Sequence, residues 1–253
     1  MRTELIFTPR EFLQVLYDKL RYLISSGKTE YEIGRESVIF VTSSYTEFMR
    51  FIDLVGEETV VEDLVSSINK SDVFYDIGAN VGTYTCFAAS KSPNGSVVAF
   101  EPEPDNATRL RENLSLNDLY AEVVEVALSN RTGTVNLELT GDEPGEGEHT
   151  IVASGADSGS IEVPTMRGDD LIEKRGLPAP TIIKIDVEGA EFMVLQGLAK
   201  TIEENCRLIY VEVHPNKMLS GSEDQVVSFL EKRGFEVEYF TQRGDELFLR
   251  ATK

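Results

Sequence analysis

Short apolar runs alternate with amphipathic stretches along most of this chain, the pattern of a sheet wrapped by helices. Val73–Ile77 (VFYDI) suits a buried central strand, and Gly78 to Thr85 reads as a tight turn opening a helix over about Gly82–Ser90. Ser96–Glu101 (SVVAFE) is a second strand, stopped by Pro102 and Pro104, which release the chain into a helix over Asp105–Leu116. Glu122–Ala127 reads as a third strand, and Thr132-Gly133 as a turn into an exposed strand, Thr134–Leu139. Ser160–Pro164 is a further strand, before a short helix Leu171–Lys174 that Asp169 or Asp170 can cap. Thr181–Asp186 (TIIKID) with a helix Gly189–Leu198, and Arg207–Val213 (RLIYVEV) with a helix Glu223–Arg233, continue the alternation. Phe235–Phe240 and Glu246–Arg250 would close it as an antiparallel pair. The fold class is therefore α/β, a doubly wound and mostly parallel sheet.

Two segments fall outside that rhythm. Residues 1–70 read as an α+β extension on a domain spanning 71–253, with helical spacing over Glu11–Leu23 and Val60–Ile68 and two short strands in Tyr31–Val41 around Gly34. Such a piece could cap the substrate mouth, pack on the domain or form a dimer contact. Thr140–Gly159 (TGDEPGEGEHTIVASGADSG) is rich in Gly and acids and reads as a mobile loop over the carboxyl ends of the strands, where open sheets bind ligands.

The turn at 76–83 carries the first chemistry. A dinucleotide site wants G-x-G-x-x-G, but the middle glycine position is Asn80, and a diphosphate would be repelled by Asp76. A zwitterionic amino-acid head fits better, its ammonium toward Asp76 and its carboxylate toward the helix N-terminus. S-adenosylmethionine has such a head, so the turn favours methyl transfer over an NAD-dependent oxidoreductase. Glu101, ending the second strand, can accept both hydroxyls of a ribose, which either cofactor carries. A plain βα turn and an acid that only caps the next helix are the readings without a cofactor.

Charge narrows the partners. The 253 residues include 44 Asp+Glu against 24 Lys+Arg, a net charge of -20, and no basic run. Nucleic acid and anionic lipid would be repelled. Such a surface suits a concentrated-salt cytoplasm and points to a halophilic archaeon, because salt screens the self-repulsion. No stretch is apolar enough to span a membrane and the amino terminus lacks a signal-peptide core, so a cytoplasmic location is expected. Cys86 and Cys206 form no metal or disulfide pattern.

Three segments together are more specific than any one: VFYDIGANVGTYT (73–85) with AFEPEPDNATRLRENL (99–114), EVALSNRTGTV (125–135), and IIKIDVEGAEFMVLQGL (182–198) with YVEVHP (210–215). The chain resembles the FkbM-type family of class I methyltransferases. The resemblance implies a seven-stranded class I sheet and S-adenosylmethionine-dependent methylation of a hydroxyl on a sugar, glycolipid or other small molecule. It implies that Asp76, Gly78, Asn80, Gly82 and Thr83 hold the methionine moiety and Glu101 the ribose. Ala127 and Leu128 would pack the adenine, and Asp186 and Glu188 would lie near the sulfonium. Residues 1–70 and the 140–159 loop match nothing diagnostic, so acceptor choice is expected there.

Methyl transfer to oxygen needs alignment and removal of a proton. His214 ends a strand beside Glu212 and shares a face with it. It could be the general base, a positioning hydrogen-bond partner or a metal ligand. Asp186, Glu188, Glu212 and His214 form an oxygen-plus-nitrogen set that could take a hard divalent cation, or hold a substrate hydroxyl, and the metal is unassigned. His149, in the acidic loop, reads as solvent-facing, and Glu191 as a first-turn acid favoured by the helix dipole. A non-catalytic S-adenosylmethionine-binding protein is the remaining rival, but it would not require acids at the methyl end. A possible homodimer is left open. If the acidic surface is adapted to salt, raising KCl from dilute to molar will raise the thermal midpoint; a midpoint flat or falling over that range would reject the adaptation.

Overall fold

The computed structural model describes residues 9–52, 54–93, 95–139, 150–152 and 159–253. It opens with α1 (Pro9–Ile24), a hairpin of β1 (Lys28–Ile33) and β2 (Glu36–Val41), then α2 (Tyr45–Ile52) and α3 (Glu58–Ser67). The first sheet-and-helix half is β3 (Val73–Ile77), α4 (Thr83–Lys91), β4 (Ser96–Phe100), α5 (Pro104–Leu116) and β5 (Glu122–Val124). An excursion follows through β6 (Ala127–Ser129), β7 (Gly133–Glu138), β8 (Thr150–Val152) and β9 (Ser160–Arg167). The second half runs α6 (Gly168–Arg175), β10 (Ile182–Ile185), α7 (Glu191–Gly197), α8 (Ala199–Asn205), β11 (Leu208–Val213), α9 (Glu223–Glu231), β12 (Glu236–Arg243) and β13 (Glu246–Thr252).

The seven-stranded sheet has the order β12-β13-β11-β10-β3-β4-β5. Its five strands from β11 to β5 run parallel, and β13 is antiparallel to both of its neighbours. This is the class I methyltransferase arrangement. Alternation along β3 sends Phe74 into a core with Phe87 and Leu110 of α4 and α5, and Tyr75 and Ile77 into a second core with Val194, Leu195 and Val226 of α7 and α9. Among the described residues no helix is long and apolar enough to cross a membrane.

The strand read over Glu122–Ala127 is two strands. Val126 N–H turns back to Val124 O at 2.9 Å, so the chain leaves the main sheet and Ala127–Ser129 pairs instead with Thr165–Arg167 of β9. The result is a four-stranded sheet, β6-β9-β7-β8. Part of the expected loop is strand as well, since Thr150–Val152 pairs antiparallel with Asn136–Glu138. Residues 140–149, with His149, and 153–158 lie outside the described residues.

Ile33, Val38, Phe40, Phe51, Val60 and Leu64 share the apolar cluster of Phe74, Phe87 and Leu110. Backbone groups of β2 are met by side chains of α5. Val41 N–H donates to Asn113 Oδ1 at 2.8 Å, and Asn117 binds both the N–H and the carbonyl of Ile39 at 2.8 and 2.7 Å. The buried Asn113 also donates Nδ2 to Val81 O at 2.8 Å, so one amide joins the hairpin to the turn after β3. Asn113→Ala would leave a buried donor and a buried acceptor unmatched, about 1–3 kcal/mol each. Denaturant unfolding should show a loss of that order, and a change under about 0.5 kcal/mol would show that the bridge contributes little.

Candidate active site

The sheet order reverses between β3 and β10, the position where an open parallel sheet leaves a crevice beyond its carboxyl ends. The two strand ends meet closely there. A Cβ on Gly78 would lie 1.7 Å from the carbonyl oxygen of Asp186, and the residue has φ +77°, so only glycine fits. Gly78, Asn80, Glu101, Asp186 and Glu188 line the cavity that opens above this contact, with Pro102, Val126, Ala127, Leu128 and Leu137 forming its apolar side.

Asn80 sits in the left-handed region, φ 51°, with its Oδ1 accepting from Val81 N–H at 2.8 Å. Its own N–H donates to Glu101 Oε2 at 2.7 Å, and Glu103 N–H donates to Glu101 Oε1 at 2.9 Å. One donor on each oxygen fixes the carboxylate and leaves each oxygen a second lone pair for a diol. Burial pushes the Glu101 carboxyl up to about 7, against the pull of these two N–H groups.

Asp76 is not on the cavity wall. Alternation turns it to the α4 side, where it is fully buried, accepts from Thr85 Oγ1 at 2.6 Å and lies 3.7 Å from Lys184 Nζ. The expected direct contact with a ligand ammonium is corrected accordingly: Asp76 meets the site through Lys184. Gly82 and Thr83 likewise start α4 away from the cavity lining. Lys184 reaches Asp186 Oδ2 at 3.2 Å and Gly78 O at 3.4 Å, and its ammonium lies 4.6 Å from the centroid of the Tyr84 ring. Burial works against its charge, but Asp186 and Asp76 outweigh burial and raise its pKa.

Beyond β10 and β11 the structure brings Asp186, Glu188, Glu212 and His214 together. His214 Nε2 lies 3.4 Å from Glu188 Oε2, 3.8 Å from Asp186 Oδ1 and 3.9 Å from Glu212 Oε1. Its Nδ1 is 2.7 Å from Glu191 Oε1, which also accepts Gly189 N–H at 2.8 Å. Glu191 is thus a buried partner of His214 rather than only a first-turn acid. Arg243 donates Nη2 to Glu212 Oε1 at 2.9 Å and Nη1 to Glu57 Oε1 at 3.0 Å, and Lys217 donates Nζ to Glu188 Oε2 at 2.8 Å. Burial, with Asp186 and Glu57 nearby, pushes Glu212 up to about 10. Burial alone would lower His214, but Glu191, Asp186 and Glu188 raise it. Burial alone would raise Asp186, yet Lys184 and His214 hold it below the usual range.

Sequence reasoning missed Lys184, Lys217, Arg243 and Glu57. A lone lysine inside the apolar strand IIKI was a readable signal, because a charge there requires a buried partner. Arg243 and Glu57 come from distant parts of the chain and gave none.

Comparison with known proteins settles the family. The Methyltransferase FkbM domain matches residues 76–237. The chain belongs to the FkbM methyltransferases. The hexuronic acid methyltransferase AglP of Haloferax volcanii is 32% identical over 183 residues, covering 72% of this chain and 73% of that protein. The 31-O-demethyl-FK506 methyltransferase FkbM of Streptomyces tacrolimicus is 29% identical, covering 67% and 75% respectively. The crystal structure of methyltransferase FkbM from Methylobacillus flagellatus KT shares the fold, with TM-score 0.52 and 18% identity over 74% of this chain and 45% of that one. An FkbM-type enzyme uses S-adenosylmethionine. The cavity offers groups that suit that cofactor: a Gly-Ala-Asn turn, a fixed carboxylate with spare lone pairs and an apolar wall.

Calorimetry should show S-adenosylmethionine binding without comparable NAD binding, and Glu101→Ala should weaken it by about one to two decades. Because the carboxyl titrates near 7 and binds a diol better when ionised, affinity should fall as pH drops through that value. An unchanged dissociation constant in Glu101→Ala would make Glu101 a purely structural acid.

Proposed function

We propose that this protein transfers a methyl group from S-adenosylmethionine to a hydroxyl of a sugar, glycolipid or other small molecule. The observation that carries the reading is the group Asp186, Glu188, Glu212 and His214 at one end of the cofactor cavity, with an imidazole nitrogen facing carboxylates and fixed from behind by Glu191. The names of two relatives, a hexuronic acid methyltransferase and a 31-O-demethyl-FK506 methyltransferase, support a hydroxylated acceptor.

Bound S-adenosylmethionine supplies the methyl group. The turn at Gly78–Asn80 and Glu101 hold and orient the cofactor, Ala127 and Leu128 pack its base, and the β3–β10 contact keeps the two halves of the cavity in register. Asp186 and Glu188 face the cavity and position the acceptor hydroxyl, whose proton passes to the carboxylate–imidazole group behind them. The left-handed backbone at Glu188, φ 52°, directs its side chain beside His214, and Gly189 lies against Lys217 O, where a Cβ would come within 2.1 Å.

The described part of residues 1–70, from β1 to α3, serves in this reading as a layer packed on the α4 side of the methyltransferase domain. The exposed Leu13, Leu16, Leu20, Leu23 and Ile24 of α1 favour a second use, as a homodimer contact. The free, buried Cys86 and Cys206 are in keeping with a reducing cytoplasm, and the acidic surface with the absence of a nucleic-acid partner.

His214→Ala should lower turnover by about 10²–10⁴ while leaving S-adenosylmethionine affinity within about twofold, the opposite split from Glu101→Ala. Near-parental kcat under saturating acceptor and cofactor would remove His214 from the chemistry.

A further inference from the structure

Buried polar atoms in a folded protein are nearly always matched, so those that are not point to what is missing. His214 and Glu212 are each 2% exposed, and His214 Nε2 and Glu212 Oε2 have no hydrogen-bond partner among the described residues. Both belong to the group that ends β10 and β11. One donor atom from each of Asp186, Glu212 and His214 lies within 4.8 Å of the others.

We propose that Asp186, Glu212 and His214 form a binding site for a hard divalent cation, Mg²⁺ or Mn²⁺, at the acceptor end of the cofactor cavity. Donors sharing an octahedral ion at about 2.1 Å stand about 3 to 4.2 Å apart; His214 Nε2 is 3.8 Å from Asp186 Oδ1 and 3.9 Å from Oε1 of the Glu212 carboxylate, whose other oxygen, Oε2, is the unmatched one. The histidine is prepared as a ligand should be: its other ring nitrogen is fixed by Glu191 at 2.7 Å, which sets the ring orientation and leaves Nε2 to bind. Arg243 engages Glu212 through Oε1, leaving Oε2 open. Two carboxylates and one imidazole suit Mg²⁺ or Mn²⁺ and leave positions free for oxygen ligands. The site rests on the reading of this end of the cavity as the place of the acceptor hydroxyl; with an ion bound, His214 Nε2 is a ligand rather than a proton acceptor, and the hydroxyl proton passes to the Glu188 carboxylate beside it.

The probe is Mn²⁺ alone, titrated into the full-length protein in molar KCl to screen surface carboxylates, and followed by electron paramagnetic resonance. One Mn²⁺ per chain, displaced by Mg²⁺, is expected. His214→Gln and Glu212→Gln should each weaken it at least tenfold, and the exposed Glu112→Gln should leave it unchanged. No bound Mn²⁺ at millimolar concentration, or parental affinity in His214→Gln, would overturn the site. Should the variants fail to fold, the parent protein still decides: with only two histidines in the chain, substoichiometric Mn²⁺ must broaden the His214 imidazole resonance ahead of His149. A sharp His214 signal would count against the cation. Calorimetry with S-adenosylmethionine on the same samples separates the two readings, because intact cofactor binding without Mn²⁺ binding removes the cation and leaves the methyltransferase.

Discussion

Asp76, one residue before the end of β3, and Asp186, just past the end of the adjacent parallel strand β10, share one cation, Lys184. Its ammonium reaches Asp76, Asp186 and the carbonyl of Gly78 under the ring of Tyr84. Isolated, any of these charges would be costly to bury; together they hold the strand ends at the separation that lets Gly78 touch the Asp186 carbonyl. The cavity floor, the direction of Asn80 and the approach of Glu188 to His214 all follow from that spacing. Removing the ammonium would strand the fully buried Asp76 carboxyl and leave Asp186 at the cavity without its cation.

The main parallel strands could be read from the chain because each is a short apolar run bounded by Gly, Pro or an acid. Val73–Ile77, Ser96–Phe100, Ile182–Ile185 and Leu208–Val213 lie within two residues of the expected spans. Where breakers are lacking the reading slips. The run VVEVAL contains no Gly or Pro, so the change of sheet after Val124 left no local mark. Pro164 suggested an end to its strand, but β9 passes through it, because β6 begins to pair only at Thr165 and Pro164 faces a partner on one side alone. The helix at Tyr45 was not read from the sequence, although Ser44 and Glu47 form an S-x-x-E capping box with reciprocal hydrogen bonds.

The site was readable to different depths. The family resemblance named Glu101, Ala127, Leu128, Asp186 and Glu188, and all five line one cavity. It could not give the facing of Asp76, which depends on which side of β3 is turned to α4. Nor could it give Glu57 and Arg243, whose approach to Glu212 depends on how α3 and the β12–β13 hairpin close around the sheet. Sequence names the residues nearest the cofactor. The charges that set how those residues ionise come from the tertiary fold.

The Asn113 amide has a wider meaning. It ties β2 to the residue after Asn80, so the amino-terminal hairpin and the cofactor turn are braced by the same side chain. The family-wide core, residues 76–237, is therefore not mechanically self-sufficient in this chain. Sequence change in the amino-terminal hairpin can be transmitted through Asn113 to the turn after β3, so the extension is tethered to the geometry of that turn.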